Sequence, residues 1–293
     1  MKVKLIFINA IFLLLLFSCT KESINIPKTN LPMPTSLKEI ASIELDTLSF
    51  TPEKLVSDIK GNIFITGRSN RLILIKAKGD IEEINIRDIY PAEIVDISTD
   101  GFDIFLLDRM NRKIWTLKRE SILEKGYMLE ERPLIFSVSE RGFFTVIYSN
   151  RREFFCQSRT KKRITGFLLE EEVREGEDCT ILFHKNSIYF ANKKNNRIDF
   201  FQLYNPEKMS FREIKSPSSL TIDTYENLFI VTSEGIVFVK NDGMMSYLLL
   251  RKIERAEISI NRDRLYLLTP DKKRIDVFKI IYTASDSSIP GRE

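Results

Sequence analysis

A nine-residue stretch that returns at a period near 40 constrains this chain more than any other feature. DIKGNIFIT at 58–66 lies on DTYENLFIV at 223–231 without a gap: an aspartate, an asparagine four residues on, then an aliphatic residue, a phenylalanine and an isoleucine. Looser copies stand at 100–108 (DGFDIFLLD), 140–148 (ERGFFTVIY), 185–192 (KNSIYFAN) and 262–269 (RDRLYLLT). The rings of Phe64, Phe105, Phe144, Tyr189, Phe229 and Tyr266 mark the register, with spacings of 41, 39, 45, 40 and 37 residues. Short β-rich units at this period cannot bury their apolar surface singly and predict a propeller or a solenoid.

The apolar runs past the N-terminal segment are four to six residues long and rich in Ile, Phe, Val and Tyr, and in the first copy they are separated by polar turns at Gly67–Asn70 and Lys78–Asp80. Such runs favour strands over helices and give a four-stranded meander. Six blades follow, at about 53–87, 92–130, 133–169, 178–214, 217–250 and 256–281, the last with three strands only. Residues 39–46 (EIASIELD) supply a spare strand that can complete the last blade and close the ring, which removes open sheet edges. The expected fold is therefore an all-β, six-bladed β-propeller of four-stranded antiparallel blades, closed by an N-terminal strand. Five or seven blades would require the 45-residue interval or the N-terminal strand to be read differently.

Ahead of this domain, Lys2 and Lys4 precede an apolar run from Leu5 to Phe17. Its 13 residues suit a secretory signal and are too short to span a bilayer, which needs about 20. The run ends in Leu-Phe-Ser-Cys at 16–19, which resembles the bacterial lipobox and marks Cys19 for lipidation, with Phe17 bulkier than the usual residue there. The competing readings are plain secretion with cleavage near Ser18, or an uncleaved anchor. The layout expected is a signal peptide at 1–18, a Pro-containing tether at 19–38, the propeller at 39–283 and a polar tail at 284–293. It places the protein in the bacterial cell envelope, exported and attached to a membrane by its N-terminal lipid.

The Asp-x-x-Gly-Asn turn, the apolar strand and the following Asn70-Arg71-Leu72 recur as Asn196-Arg197-Ile198, and more loosely at Asn111–Ile114 and Lys273–Ile275. In blade five Glu234-Gly235-Ile236 stands instead. Over about 39–281 this pattern resembles the NHL-repeat family of six-bladed β-propellers, and with the lipobox it resembles the family's bacterial lipoproteins. The resemblance implies a fold and no single activity, since such propellers include scaffolds, sensors and a few enzymes.

The turns between second and third strands carry Arg68, Arg71, Arg109, Arg112, Arg151, Arg152, Lys193, Lys194, Arg197, Lys272, Lys273 and Arg274. A propeller opens these turns onto one face, so the cations form a rim that suits a lipid headgroup, a glycan or an acidic protein. The competing reading is that the recurring arginines pack their stems and pair with carboxylates between blades. Glu170–Asp178 (EEEVREGED) reads as an exposed acidic loop. Asp58 and Asp223 read as turn carboxylates.

Enzymatic chemistry has few residues to draw on. The single histidine, His184, falls in a polar turn before NSIYFAN and is expected to be exposed, which leaves no partner for a histidine-based metal site or triad. Asp96 and Glu257 are candidates for acidic ligands at the channel. Cys156 and Cys179 fall on different blades and are expected as free thiols. Trp115 and 21 phenylalanines read as sheet packing. A net charge of +4, from 45 basic and 41 acidic residues, does not call for nucleic acid, and no Gly-rich phosphate loop is present. No cofactor, metal or catalytic residue is assigned. The function expected is a monomeric, membrane-anchored scaffold binding an envelope protein or glycan; the alternatives are a metal-assisted lyase or hydrolase in the channel, or a small-molecule sensor.

Overall fold

Every apolar run of the repeat becomes a strand. The computed structural model describes residues 31–67, 71–86, 93–118, 122–158, 163–210, 214–239 and 245–283. Cys19, Arg68 and the terminal segments 1–30 and 284–293 lie outside the described residues. The chain begins with β1 (Pro34–Glu44). Blade one holds β2 (Lys54–Ser57), β3 (Ile63–Thr66), β4 (Arg71–Ile75) and β5 (Ile81–Asn85); blade two holds β6 (Ile94–Thr99), β7 (Ile104–Asp108), β8 (Lys113–Lys118) and β9 (Ile122–Met128). Blade three holds β10 (Pro133–Val138), β11 (Phe144–Tyr148), β12 (Arg151–Gln157) and β13 (Arg163–Val173); blade four holds β14 (Cys179–His184), β15 (Ser187–Asn192), β16 (Arg197–Gln202) and β17 (Asn205–Ser210). Blade five holds β18 (Ser219–Ile222), β19 (Leu228–Thr232), β20 (Gly235–Val239) and β21 (Met245–Leu250); blade six holds β22 (Glu257–Asn261), β23 (Arg264–Thr269) and β24 (Arg274–Tyr282).

The result is six four-stranded antiparallel sheets in a ring. Five run in chain order, and the sixth has the order β1-β24-β23-β22, with β1 paired from Pro34↔Tyr282 to Glu44↔Arg274. β1 starts five residues before the strand expected at 39, taking in part of the segment read as tether. β13 also exceeds its expected end at 169, because Val173 is buried and pairs with Arg151. The first four residues of the acidic run are therefore strand and not loop.

Six innermost strands, β2, β6, β10, β14, β18 and β22, each lie against their two neighbours and close a ring around a central channel. Hydrophobic packing falls between blades. Six apolar wedges are present among the described residues, one at each blade interface. Phe64 and Leu72 meet Ile94 and Leu106 between blades one and two, while Ile63 and Ile65 meet Tyr266 and Leu268 between six and one. Consecutive residues of β3 thus serve opposite wedges, which is why all four of its positions are buried and the run is continuously apolar.

Phe105 and Phe144 share the wedge between blades two and three, Ile198 meets Ile230 between four and five, and Phe229 meets Leu265 between five and six. Between three and four, Phe154 and Phe167 stack at 5.1 Å and Phe201 stands edge-on to both, at 5.4 and 5.3 Å. Cys156 is buried in that wedge and Cys179 packs against it; both are free thiols, pushed up to about 12 by burial. Of the repeat-marking rings, Tyr189 alone is only partly buried, leaning on the wedge between blades four and five.

Removing a wedge ring should cost far more than removing an exposed one. Phe229→Ala is expected to lower stability by about 3–5 kcal/mol, against about 0.5 kcal/mol or less for Phe102→Ala. Urea-unfolding midpoints of the two variants check this directly.

Candidate functional site

The turns that close the first hairpin of each blade surround one end of the channel. At each, one residue adopts the left-handed conformation: Gly61, Gly101, Gly142, Lys185, Glu226 and Arg262. Gly61 has φ +88°, which glycine adopts freely, whereas its counterpart Glu226 has φ +66°. What holds Glu226 there is Asp223. One oxygen of Asp223 accepts the backbone N–H groups of Tyr225 and Asn227, both at 2.9 Å; the other accepts Asn227 Nδ2 at 2.8 Å and the Tyr282 hydroxyl at 3.0 Å. Asp58 repeats the arrangement with Lys60 N, Asn62 N and Asn62 Nδ2, at 2.9, 2.9 and 2.8 Å. These aspartates are turn carboxylates, as the repeat implies.

Channel-lining hydroxyls bridge neighbouring blades. Ser98 accepts the N–H of Val138 at 3.0 Å, Ser137 that of Phe183 at 2.9 Å, Ser219 that of Ile258 at 3.2 Å and Ser259 that of Ser57 at 3.0 Å. The inner edge of each blade has backbone donors with no fifth strand to take them, and the serines supply acceptors.

Midway along the channel lies a cluster of charges, with Asp96 buried and Lys54 and Glu257 partly buried. Lys54 Nζ donates to Glu257 at 2.6 Å, and the second Glu257 oxygen accepts the Ser219 hydroxyl at 2.9 Å. Burial opposes the charge on Lys54, but the attraction of Glu257 and Asp96 outweighs it and its pKa is raised. Asp96 is pushed up to about 6 by burial, against the pull of Lys54 and the N–H of Phe136. Asp96 and Glu257 therefore reach the channel as expected. Among the described residues no three His, Cys, Asp or Glu side chains are grouped to hold a metal ion.

The channel widens beyond this cluster into a cavity of 450 Å³, bounded by the ends of the inner strands and the hairpin turns. His184 lines it. It is not an exposed turn residue: it ends β14, its side chain is only 20% exposed, and Nδ1 pairs with Glu140 of blade three. The hairpin β14–β15 is tighter than its sequence suggests, because His184 pairs directly with Ser187. That pairing keeps the imidazole on the strand. At the lip stand Ile59 and Phe102, 52% and 74% exposed, in adjacent blades joined by a hydrogen bond from Ile59 N to Gly101 O at 2.9 Å. Both side chains line the same cavity.

A smaller cavity of 130 Å³ opens where the inner strands begin, next to the cationic rim. The rim cations have carboxylate and carbonyl partners. Arg109 is paired with Glu93 and Glu175, Arg151 with Glu131 at 2.7 Å, Lys193 with Asp178 at 3.1 Å, and Lys194 with Glu171 and Glu177, both at 3.9 Å. Arg197 is paired with Glu170 and Asp199, Arg274 with Asp276 at 2.7 Å, and Arg71 with Glu83 at 3.7 Å. Arg112, Arg152 and Lys273 donate to the backbone carbonyls of Glu130, Leu169 and Leu48 at 3.2, 3.1 and 3.0 Å. Lys272 is exposed in a 3-10 turn, Pro270–Lys272. The acidic run and the rim thus belong to one ion-pair network.

No family model matches the chain, and neither does any curated protein. Solved structures do. Virginiamycin B lyase from Staphylococcus aureus superposes with a TM-score of 0.57 at 15% identity, covering 82% of this chain and 99% of that one. A Bacteroides thetaiotaomicron protein of unknown function gives 0.62 at 11% identity over 85% and 76%. An auxiliary nutrient binding protein from the same organism gives 0.59 at 11% over 79% and 69%. At these identities the likeness is one of fold: the chain is a six-bladed β-propeller.

Because the folded state holds Asp96 at about 6, above the 3.8 of an ordinary aspartate, the native protein binds the extra proton between these values. This contribution to stability is full below about pH 4 and is lost as pH rises through 6. Relative to Asp96→Ala, the wild type should gain on the order of 2–3 kcal/mol between pH 7 and pH 4. Urea midpoints of both proteins across that range test the sign.

Proposed function

We propose that the chain is an exported lipoprotein of the bacterial cell envelope, held to a membrane through a lipid on Cys19, whose NHL-like propeller is a binding scaffold for an envelope protein or glycan. The observation that carries the binding part is the lip of Ile59 and Phe102, two apolar side chains left in water above an open cavity. Exposed apolar surface beside a concavity marks a contact site far more often than isolated apolar residues do. One fold neighbour, an auxiliary nutrient binding protein, agrees with this reading. The rim is the less favoured partner surface, since its cations already have acceptors within the chain and would have to give them up.

A second reading, a lyase or hydrolase acting in the channel, has one observation behind it. His184 lines the cavity with Nδ1 held by Glu140 and a buried Nε2 that has no partner among the described residues. A held imidazole with one nitrogen unused could move a proton. A fold neighbour is described as a catalytically inactive histidine variant of virginiamycin B lyase, which shows that the fold can host such chemistry.

Lipid labelling of growing cells tests the anchor. Wild type should incorporate a labelled fatty acid and sediment with membranes, while Cys19→Ala should do neither; unlabelled wild type would remove the anchor. Mild crosslinking on intact cells tests the scaffold. A captured envelope component should be lost in the Ile59→Asp, Phe102→Asp double variant and kept in Arg109→Glu, Arg151→Glu, Lys193→Glu. The reverse pattern would move the contact to the rim, and a substrate consumed by wild type but not by His184→Ala would favour the enzyme.

A further inference from the structure

We infer that the cavity beneath Ile59 and Phe102 receives a small organic cation, a protonated amine carried on an apolar ring or chain. The inference rests on the reading above that this end of the channel is the binding face, and it goes beyond the protein or glycan named there to a small molecule held in the cavity under the lip. Three observations converge on it.

The first is shape. A volume of 450 Å³ falls within the range of about 300–1,000 Å³ typical of small-molecule sites. The lysine–glutamate pair of Lys54 and Glu257 stands at its inner end. A ligand entering past the lip meets a charged pair at the inner end.

The second is the lip. Phe102 is held by its own turn: Asp100 accepts the backbone N–H groups of Phe102 and Asp103 at 3.0 and 2.9 Å, and Gly101 bonds to Ile59 across the blade boundary. With the turn backbone already fixed, contact with a ligand has only the Phe102 side chain to order. Its ring face attracts a cation and its edge and the Ile59 side chain accept an apolar body.

The third is charge. Lining the cavity are the carboxylates of Asp58, Asp96, Asp100, Glu140, Asp223 and Glu257, against two cations, Lys54 and Arg262. The six carboxylates outnumber the two cations. The hydrogen bonds on Asp58 and Asp223 come from neutral amides, apart from the Tyr282 hydroxyl on Asp223. These neutral donors fix Asp58 and Asp223 without cancelling their charge. In a walled cavity the field of that charge is focused, so it draws in a cation and repels an anion. Lys54 does not reverse this, because Glu257 holds it at 2.6 Å. A sugar could use the carboxylates as acceptors but is not drawn in by their net charge, and a bare metal ion has no apolar body for the lip and lacks a set of three gathered ligands among the described residues.

The test uses the full-length protein in detergent and three probes of one shape: 2-phenylethylammonium, 2-phenylethanol and phenylacetate, titrated by calorimetry. The ammonium should bind about tenfold or more tightly than the alcohol, and phenylacetate should not bind. Phe102→Ala should weaken the ammonium about five- to thirtyfold, and Glu140→Gln a few-fold, with affinity falling as salt rises. The alcohol binding as tightly as the ammonium, no binding of any probe, or ammonium binding untouched by Phe102→Ala would each overturn the inference. Displacement of the ammonium by equimolar calcium would reassign the cavity to an inorganic cation. Tighter binding of Nα-acetyl-lysine amide than of the ammonium would reassign it to a partner protein's lysine. Both results reject the free amine. Should all probes fail while the double substitution at Ile59 and Phe102 still abolishes crosslinking, the ligand class is wrong and the binding face stands.

Discussion

Burial between blades is the constraint on which everything else depends. A four-stranded sheet of this composition is apolar on both faces, so a single blade left in water would expose two hydrophobic surfaces. Each blade buries both only by having a neighbour on either side, and six wedges in a closed ring achieve that. The wedge between blades three and four is the most aromatic, and the one between four and five is built mainly of smaller side chains. Closing the ring creates a channel, and the channel creates a second requirement: the inner strand of each blade has an edge with no further strand to pair. Serine hydroxyls from neighbouring blades answer it, so the ring is tied by hydrogen bonds along its axis and by apolar packing away from it.

The two ends of the channel differ in how their charges are used. Around the end where the inner strands begin, cations and carboxylates from different blades pair with one another, and the acidic run 170–178 is spent largely on Arg109, Lys193, Lys194 and Arg197. Exposed pairs of this sort add little to stability, but they leave few uncommitted charges for a partner. At the other end, Asp58 and Asp223 are held by neutral turn amides, and the carboxylates that line the cavity outnumber its cations. The same residue type thus gives a neutral surface at one end and a negative cavity at the other.

Much of the fold was legible because a propeller is a local pattern repeated. The spacing of Phe64, Phe105 and Phe229, the Asp58 and Asp223 turns and the strand lengths each depend on residues a few positions apart. The errors occur where contacts reach between blades. His184 looked exposed because its neighbours in the chain are polar, but Glu140, 44 positions earlier, holds it at the cavity. The acidic run looked like free loop because its partners lie on other blades. Phe102 carried a signal that could have been read, an apolar ring inside a turn where the alternation calls for a polar residue. Lys54 carried none, since nothing in KLVSD announces Glu257.

The sequence by itself determined the repeat, the strand content, the blade number and the turn chemistry, because these follow from side-chain period and short-range hydrogen bonding. Only the tertiary structure decided which charges meet, since pairing across blade boundaries depends on ring closure and on distances in space that chain spacing does not encode. It also decided which end of the channel stays open and negative, and for the same reason: six turns separated by about 40 residues come together only when the ring is complete.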